Sequence, residues 1–307
     1  DNQVQVSTNT FGDLVIQGLD GTTIELGGET AGSHTIFLGE SSVDDMQILL
    51  RGGNDEVTVS NSNISGNLIV VGAAGDDDVT LQDLQIGGQV RAILSAGDDT
   101  ASFTGLDVTE RLTIVGGSGD ENVTILDSTI GENASIVLSA GDDVARFSTV
   151  TFSENLTVSS GGGNDGLLGT DLTIVGDARF VLGGGDDVLG LNSNFPGLGG
   201  NSVQNLVVVN GGGNDGLILS GLTVNGNLTM LNGGGDDETM LSGLLVEGGS
   251  RLVAGGGDDT VSFGLLVGFY ADATFLGGGG FDEISGAMPE FGEMPTFLSV
   301  EDVFFDE

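Results

Sequence analysis

The segment VLGGGDDVLGL (181–191) carries three glycines, an acid pair, and then leucines two positions apart, Leu189 and Leu191. Close variants occur as SSGGGNDGLLG (159–169), VNGGGNDGLIL (209–219) and LNGGGDDETML (231–241). The first polar residue of each such turn falls at Asn54, Asp76, Asp98, Asp120, Asp142, Asn164 and Asp186, a step of 22 every time. Asn214 follows after 28, the step of 22 resumes with Asp236 and Asp258, and a degenerate copy, GGGGFDEI, surrounds Asp282. The extra residues fall near NSNFPGLGGNS (192–202), whose Pro and Gly suit a loop pushed out of one coil.

Laid over one another, the repeats give apolar columns. Val57, Val79, Ala101, Val123, Leu167, Leu189 and Leu217 share one position, and Val59, Leu81, Phe103, Ile125, Leu191 and Leu219 lie two residues on. Further columns hold Ile64, Ile86, Val108 and Ile130, then Leu68, Val90 and Leu112, with Val70 and Ile114 two residues later. Spacing of two within short segments means strands with one buried face. Several such segments in every repeat, kept in register, predict an all-β fold: a right-handed parallel β-helix, or solenoid, of 22 residues per coil and about ten to twelve coils. No single coil can bury its own apolar face, so stacking is what makes a core. The expected organisation is 1–45 as an N-terminal cap with entry strands, 46–284 as β-helix repeats with the insertion at 192–202, and 285–307 as a C-terminal cap or docking tail.

Composition narrows the partners. Among 307 residues there are 46 Asp and Glu against six Arg and no Lys, a formal net charge of -40. Such a chain repels nucleic acid and anionic membranes, and no apolar run reaches the ~20 residues of a membrane-spanning helix. Cysteine is absent and His34 is the single imidazole, so thiolate and histidine metal sites are excluded. The opening DNQVQV fits a mature chain already trimmed, which makes export the expectation.

The acid pair has two parities. Asp76, Asp98, Asp120, Asp142, Asp186, Asp236 and Asp258 are out of phase with the core position and should face outward, where they either close Asx-type turns or serve as further metal ligands. Asp55, Asp77, Asp99, Glu121, Asp143, Asp165, Asp187, Asp215, Asp237 and Asp259 are in phase with it and should aim under the turn, one above another. Carboxylates stacked about 5 Å apart repel by roughly 1 kcal/mol per pair in water and about 3–4 kcal/mol at an effective dielectric of 20. Arginine is too scarce to compensate them. A hard divalent cation would, since calcium accepts six to eight oxygens in loose geometry and takes carboxylates and carbonyls together.

The turn resembles the hemolysin-type, RTX-like calcium-binding nonapeptide of secreted bacterial proteins, G-G-x-G-x-D-x-U-x with U a large apolar residue. GGSGDENVT (116–124) matches it apart from Glu121 in the Asp place, and LGGGDDVLG and SGGGNDGLL match from the second glycine on. The resemblance implies calcium at the inner acids from Asp55 to Asp259, with Glu121 as a variant and roughly one ion per coil interface. It departs from that family in period, having one acidic turn per 22 residues where the family repeats every nine.

The functional expectation is an extracellular or cell-surface structural protein, calcium-stabilised, that assembles into a filament, matrix or surface layer. Its partners would be copies of itself, head to tail through the apolar tail (Met288, Phe291, Met294, Phe297, Phe304, Phe305) or laterally through Leu168, Ile218 and Met240. The alternative is a monomeric adhesion or carbohydrate-binding module, with glycans as partners. A polysaccharide lyase or hydrolase ranks third: the acids recur uniformly where an active site should break the repeat, so no catalytic residue is assigned.

Overall fold

The computed structural model describes residues 5–8, 14–17, 22–25, 33–37, 42–50, 52–193 and 201–306. Part of the expected 1–45 cap and most of the insertion, with Phe195, therefore lie outside the described residues, as does the side chain of His34. The described chain is strand and turn, with no helix among the described residues. Parallel strands stack as a β-solenoid of about eleven turns with the 22-residue spacing, the fold class that the repeat predicts. Two compact units follow, residues 1–146 with 150–153 and residues 147–149 with 154–307.

In the first unit, Gln5–Thr8 and Leu14–Gln17 pair antiparallel. Parallel stacking starts upstream of residue 46: Thr22–Glu25 pairs with Met46–Leu49, and Ser33–Phe37 with Glu56–Ile64. One sheet continues through Leu68–Val71, Val90–Ile93, Leu112–Val115 and Ala134–Ala140. The other runs through Asp78–Ile86, Thr100–Thr104 and Asn122–Leu126, with Val57, Val79, Ala101 and Val123 as register partners. These four residues are fully buried, as the column predicts.

The second unit repeats the plan with Leu156–Gly162, Ala178–Gly184, Leu206–Val209, Leu228–Leu231, Ser250–Gly256 and Ala273–Gly279 on one side. Gly166–Thr170, Val188–Asn192, Gly216–Ser220, Glu238–Ser242, Thr260–Phe263 and Glu283–Ala287 lie on the other. The step of 28 leaves register intact, since Leu189 still faces Leu217. The tail forms a further coil: Thr296–Leu298 adds to Ala273–Gly279, and Asp302–Asp306 adds to Glu283–Ala287. Phe291 stacks on Phe269 at 5.8 Å and Phe297 on Phe275 at 5.1 Å, while Met288 and Met294 remain exposed. Each buried Leu, Val or Phe contributes about 1.5–3 kcal/mol, so a core repeated coil by coil holds strands too short to stand alone.

Two corners of the coil need special backbone. At the glycine turn, Gly185 has φ +132°, and a Cβ there would lie 1.9 Å from the Gly163 carbonyl oxygen of the preceding coil. Only glycine permits both the conformation and the approach. A second corner is left-handed at Asn61, Asp83, Gly105 and Asp127 in the first unit, with φ of 50°, 52°, 65° and 48°. These are the residue types that tolerate it. In the second unit Asp171, Gly221 and Gly243 follow suit, and Thr149 (φ 56°) and Leu266 (φ 61°) are the costly exceptions.

Candidate functional site

Both acid columns sit on the glycine turn and leave it in opposite directions. The inner acids Asp55, Asp77, Asp99, Glu121 and Asp143 of the first unit are buried, as are Asp165, Asp187, Asp215, Asp237, Asp259 and Asp282 of the second. Asp282, in the degenerate copy, thus joins a column that the sequence reading ended at Asp259. The outer residues Asp76, Asp98, Asp120, Asp142, Asp186, Asp236 and Asp258 are exposed.

Hydrogen bonding separates the columns further. Each inner carboxylate reaches back to the coil before it: Asp77 Oδ1 accepts from the Asp55 N–H at 2.9 Å, Asp99 from Asp77 at 2.7 Å, and Asp143 from Glu121 at 2.8 Å. In the second unit Asp187 accepts from Asp165, Asp215 from Asp187, Asp237 from Asp215 and Asp259 from Asp237, all at 2.8–2.9 Å. Each outer residue reaches forward instead. Asn54 Oδ1 accepts from the Asp76 N–H, Asp76 from Asp98, Asp98 from Asp120 and Asp120 from Asp142. Asp186 likewise accepts from Asn214, and Asp236 from Asp258. These bonds run between coils, where the sequence reading expected the outer acid to close its own turn. Glu121 departs: its longer side chain accepts from Gly117 N–H four residues back, within its own turn.

The inner column is electrostatically uncomfortable. Burial pushes the Asp99, Asp187 and Asp259 carboxyls up to about 6 and Asp237 to about 7, with neighbouring carboxylates adding to the rise. Burial likewise raises Asp77, Asp143, Asp215 and Asp282. Glu121 rises to about 8, through burial and then its side-chain contact with Asp143. Two carboxyl groups in contact need a proton or a cation between them. At Asp99, Asp187, Asp215, Asp237, Asp259 and Asp282 the second carboxylate oxygen is buried without a hydrogen-bond partner. Beside two of these, a cavity of about 20 Å³, room for about one water, is lined by Asn232, Thr239, Asp259 and Asp282 together with core residues.

The implied calcium can be tested against this donor set. Among the described residues, no three acidic or imidazole side chains come together. Inner and outer acids of one turn differ in burial, the inner one buried and the outer one exposed. The inner oxygens left over do not fit a cage of three or more carboxylates, so a cation there would be held by two neighbouring inner carboxylates at most.

One feature escaped the sequence reading. On the first sheet the residues facing away from the core form an aliphatic column, Leu49, Val71, Ile93, Val115 and Val137 in the first unit. The signal was present in unbroken runs such as LIVV (68–71), where apolar residues occupy both parities.

Compared with known proteins, the chain matches no family model, no curated protein and no solved structure.

Proposed function

We propose that this chain is an extracellular structural protein whose solenoid is a rigid assembly element, with cations neutralising the buried acid column. The observation that carries the reading is the succession Asp187, Asp215, Asp237, Asp259 and Asp282: five buried carboxylates in sequence along the stack, each with an oxygen that no hydrogen bond satisfies. A fold under no constraint would place a neutral Asn there, which accepts the same backbone N–H without a buried charge. Repetition of the acid at every coil supports a structural use over a catalytic one.

Calcium is the proposed ion. Neighbouring inner carboxylates, such as Asp187 with Asp215 or Asp237 with Asp259, would hold it together with turn carbonyls; when bound it supplies positive charge to a desolvated site. The acids themselves hold the coils in register, because each Oδ1 is committed to the backbone of its neighbour. Secretion follows as part of the proposal, since calcium is abundant outside cells. Self-association supplies the matrix or filament.

Calcium titration of chelated protein at pH 8, followed by circular dichroism and negative-stain microscopy, tests both halves. The expected result is a gain in strand signal or melting temperature, with ordered assemblies as calcium rises. A melt and strand signal indifferent to calcium would remove the metal. The neutralising species is then the proton, a reading that the Glu121–Asp143 contact favours. Single particles under every condition would remove assembly and favour a monomeric binding module.

A further inference from the structure

The outward face of one sheet is unlike the rest of this acidic chain. In the second unit, Val181, Val209, Leu231, Val253 and Leu276 lie in direct register on adjacent strands. Their in-strand neighbours Phe180, Val208, Met230, Leu252 and Phe275 fill the core, so the stripe points the other way and is half-exposed. Beside it runs a column of Thr157, Arg179, Val207, Thr229, Arg251 and Thr274. The strands from Leu156–Gly162 to Ala273–Gly279 on this side contain no Asp or Glu, in a chain that has 46 of them. The first unit shows the same pattern independently. Leu49, Val71, Ile93, Val115 and Val137 make its stripe, and the strands from Met46–Leu49 to Ala134–Ala140 are also free of acid; the column meets an acid at Glu25, in register with Leu49 on the strand beyond.

We propose that this acid-free aliphatic face is where a second copy of the chain packs, sheet against sheet. The inference deepens the structural-assembly reading and rests on it. Charge decides the occupant. Two copies carrying -40 each repel wherever carboxylates face one another, and this face brings none into contact. A basic partner would be drawn to the acid-rich corners instead. A polyanion would be held off by the net charge and would find only Arg179 and Arg251 on the face in this unit. A stripe of Val and Leu is complementary to itself, as a two-fold contact requires. Sheets packed face to face stand about 10 Å apart, which buries such stripes and leaves the acid corners at the rim.

Sedimentation velocity on the full chain, over a range of protein and salt concentrations, tests the proposal. Association should strengthen with added salt, because screening weakens the repulsion of the acidic surfaces while leaving aliphatic contact intact. Val209→Asp or Val253→Asp should weaken association at least tenfold with the strand signal unchanged. Thr229→Glu, a polar position on the same face, should do the same should either valine variant fail to fold. Ile218→Asp, on the opposite sheet, should leave association unaltered. Association that weakens with salt would assign the contact to arginine–carboxylate pairing and overturn the proposal. Microscopy on the same samples separates the two readings: assemblies that survive Val209→Asp and Thr229→Glu keep the structural reading and sink this face. A wild-type chain monomeric throughout sinks both.

Discussion

Asp186 and Asp187 are neighbours in sequence with the same side chain, yet they do different work. Asp186 is exposed and accepts the Asn214 N–H of the coil that follows, with water free to solvate its charge. Asp187 is buried, accepts the Asp165 N–H of the coil before, and is pushed up to about 6 by burial. A one-residue change of parity therefore turns a cheap surface hydrogen bond into a desolvated charge. The outer column ties coils together at little cost, whereas the inner column ties them while demanding a proton or a cation.

The broadest way to break this contrast is pH. Asp77, Asp99, Glu121, Asp143, Asp187, Asp215, Asp237, Asp259 and Asp282 titrate higher in the fold than in the unfolded chain, so the folded state binds more protons. In chelator, their contribution to stability is fully present below about pH 4 and is lost as pH rises through about 6 to 8, the range of Asp99, Asp187, Asp259, Asp237 and Glu121. Several groups act together, so the melting temperature should fall by about 10 °C or more between pH 5 and pH 8. A melt that rises over that interval would refute the assignment. Calcium at pH 8 should recover much of the loss if it is the compensating ion.

Single substitutions sharpen the contrast next. Asp215→Ala removes the acceptor of the buried Asp187 N–H and should cost about 2–4 kcal/mol in urea unfolding. Asp215→Asn keeps the acceptor without the charge and should lie within about 1 kcal/mol of wild type at pH 8 in chelator, on the stable side. Glu121→Asp shortens the one inner side chain that turns back on its own loop, letting it reach the previous coil as its counterparts do; a gain of about 1 kcal/mol is expected. The smallest effect belongs to the outer column. Asp236→Ala loses the acceptor for the Asp258 N–H on an exposed turn and should cost about 0.5–1 kcal/mol. An outer substitution as damaging as an inner one would erase the distinction between the columns.

Much of this was legible beforehand for one physical reason. A parallel stack repeats every residue's surroundings, so period and parity report burial directly. Val57 and Val79 were placed in the core, and Asp77 under the turn, by counting alone. Counting failed where parity carries no information. In LIVV (68–71) apolar residues fill both faces: Val70 was placed in its core column, but nothing in the pattern showed that Val71 would join a stripe facing away from the core. At Asn61 and Asp83 the polar residue marks a left-handed corner, which its chemistry permits without announcing. The tail hid its further coil because it lacks the acid pair of the glycine turn, although Phe291 and Phe297 follow Phe269 and Phe275 by 22 residues and stack on them.

By itself the sequence determined the period, the strand faces and which acid of each pair turns inward, because those follow from local geometry repeated without change. Only the tertiary structure decided that inner carboxylates reach backward and outer ones forward, and that an aliphatic stripe free of acid faces away from the core. Both depend on the offset between adjacent coils, a relation between residues 22 apart that no single repeat contains.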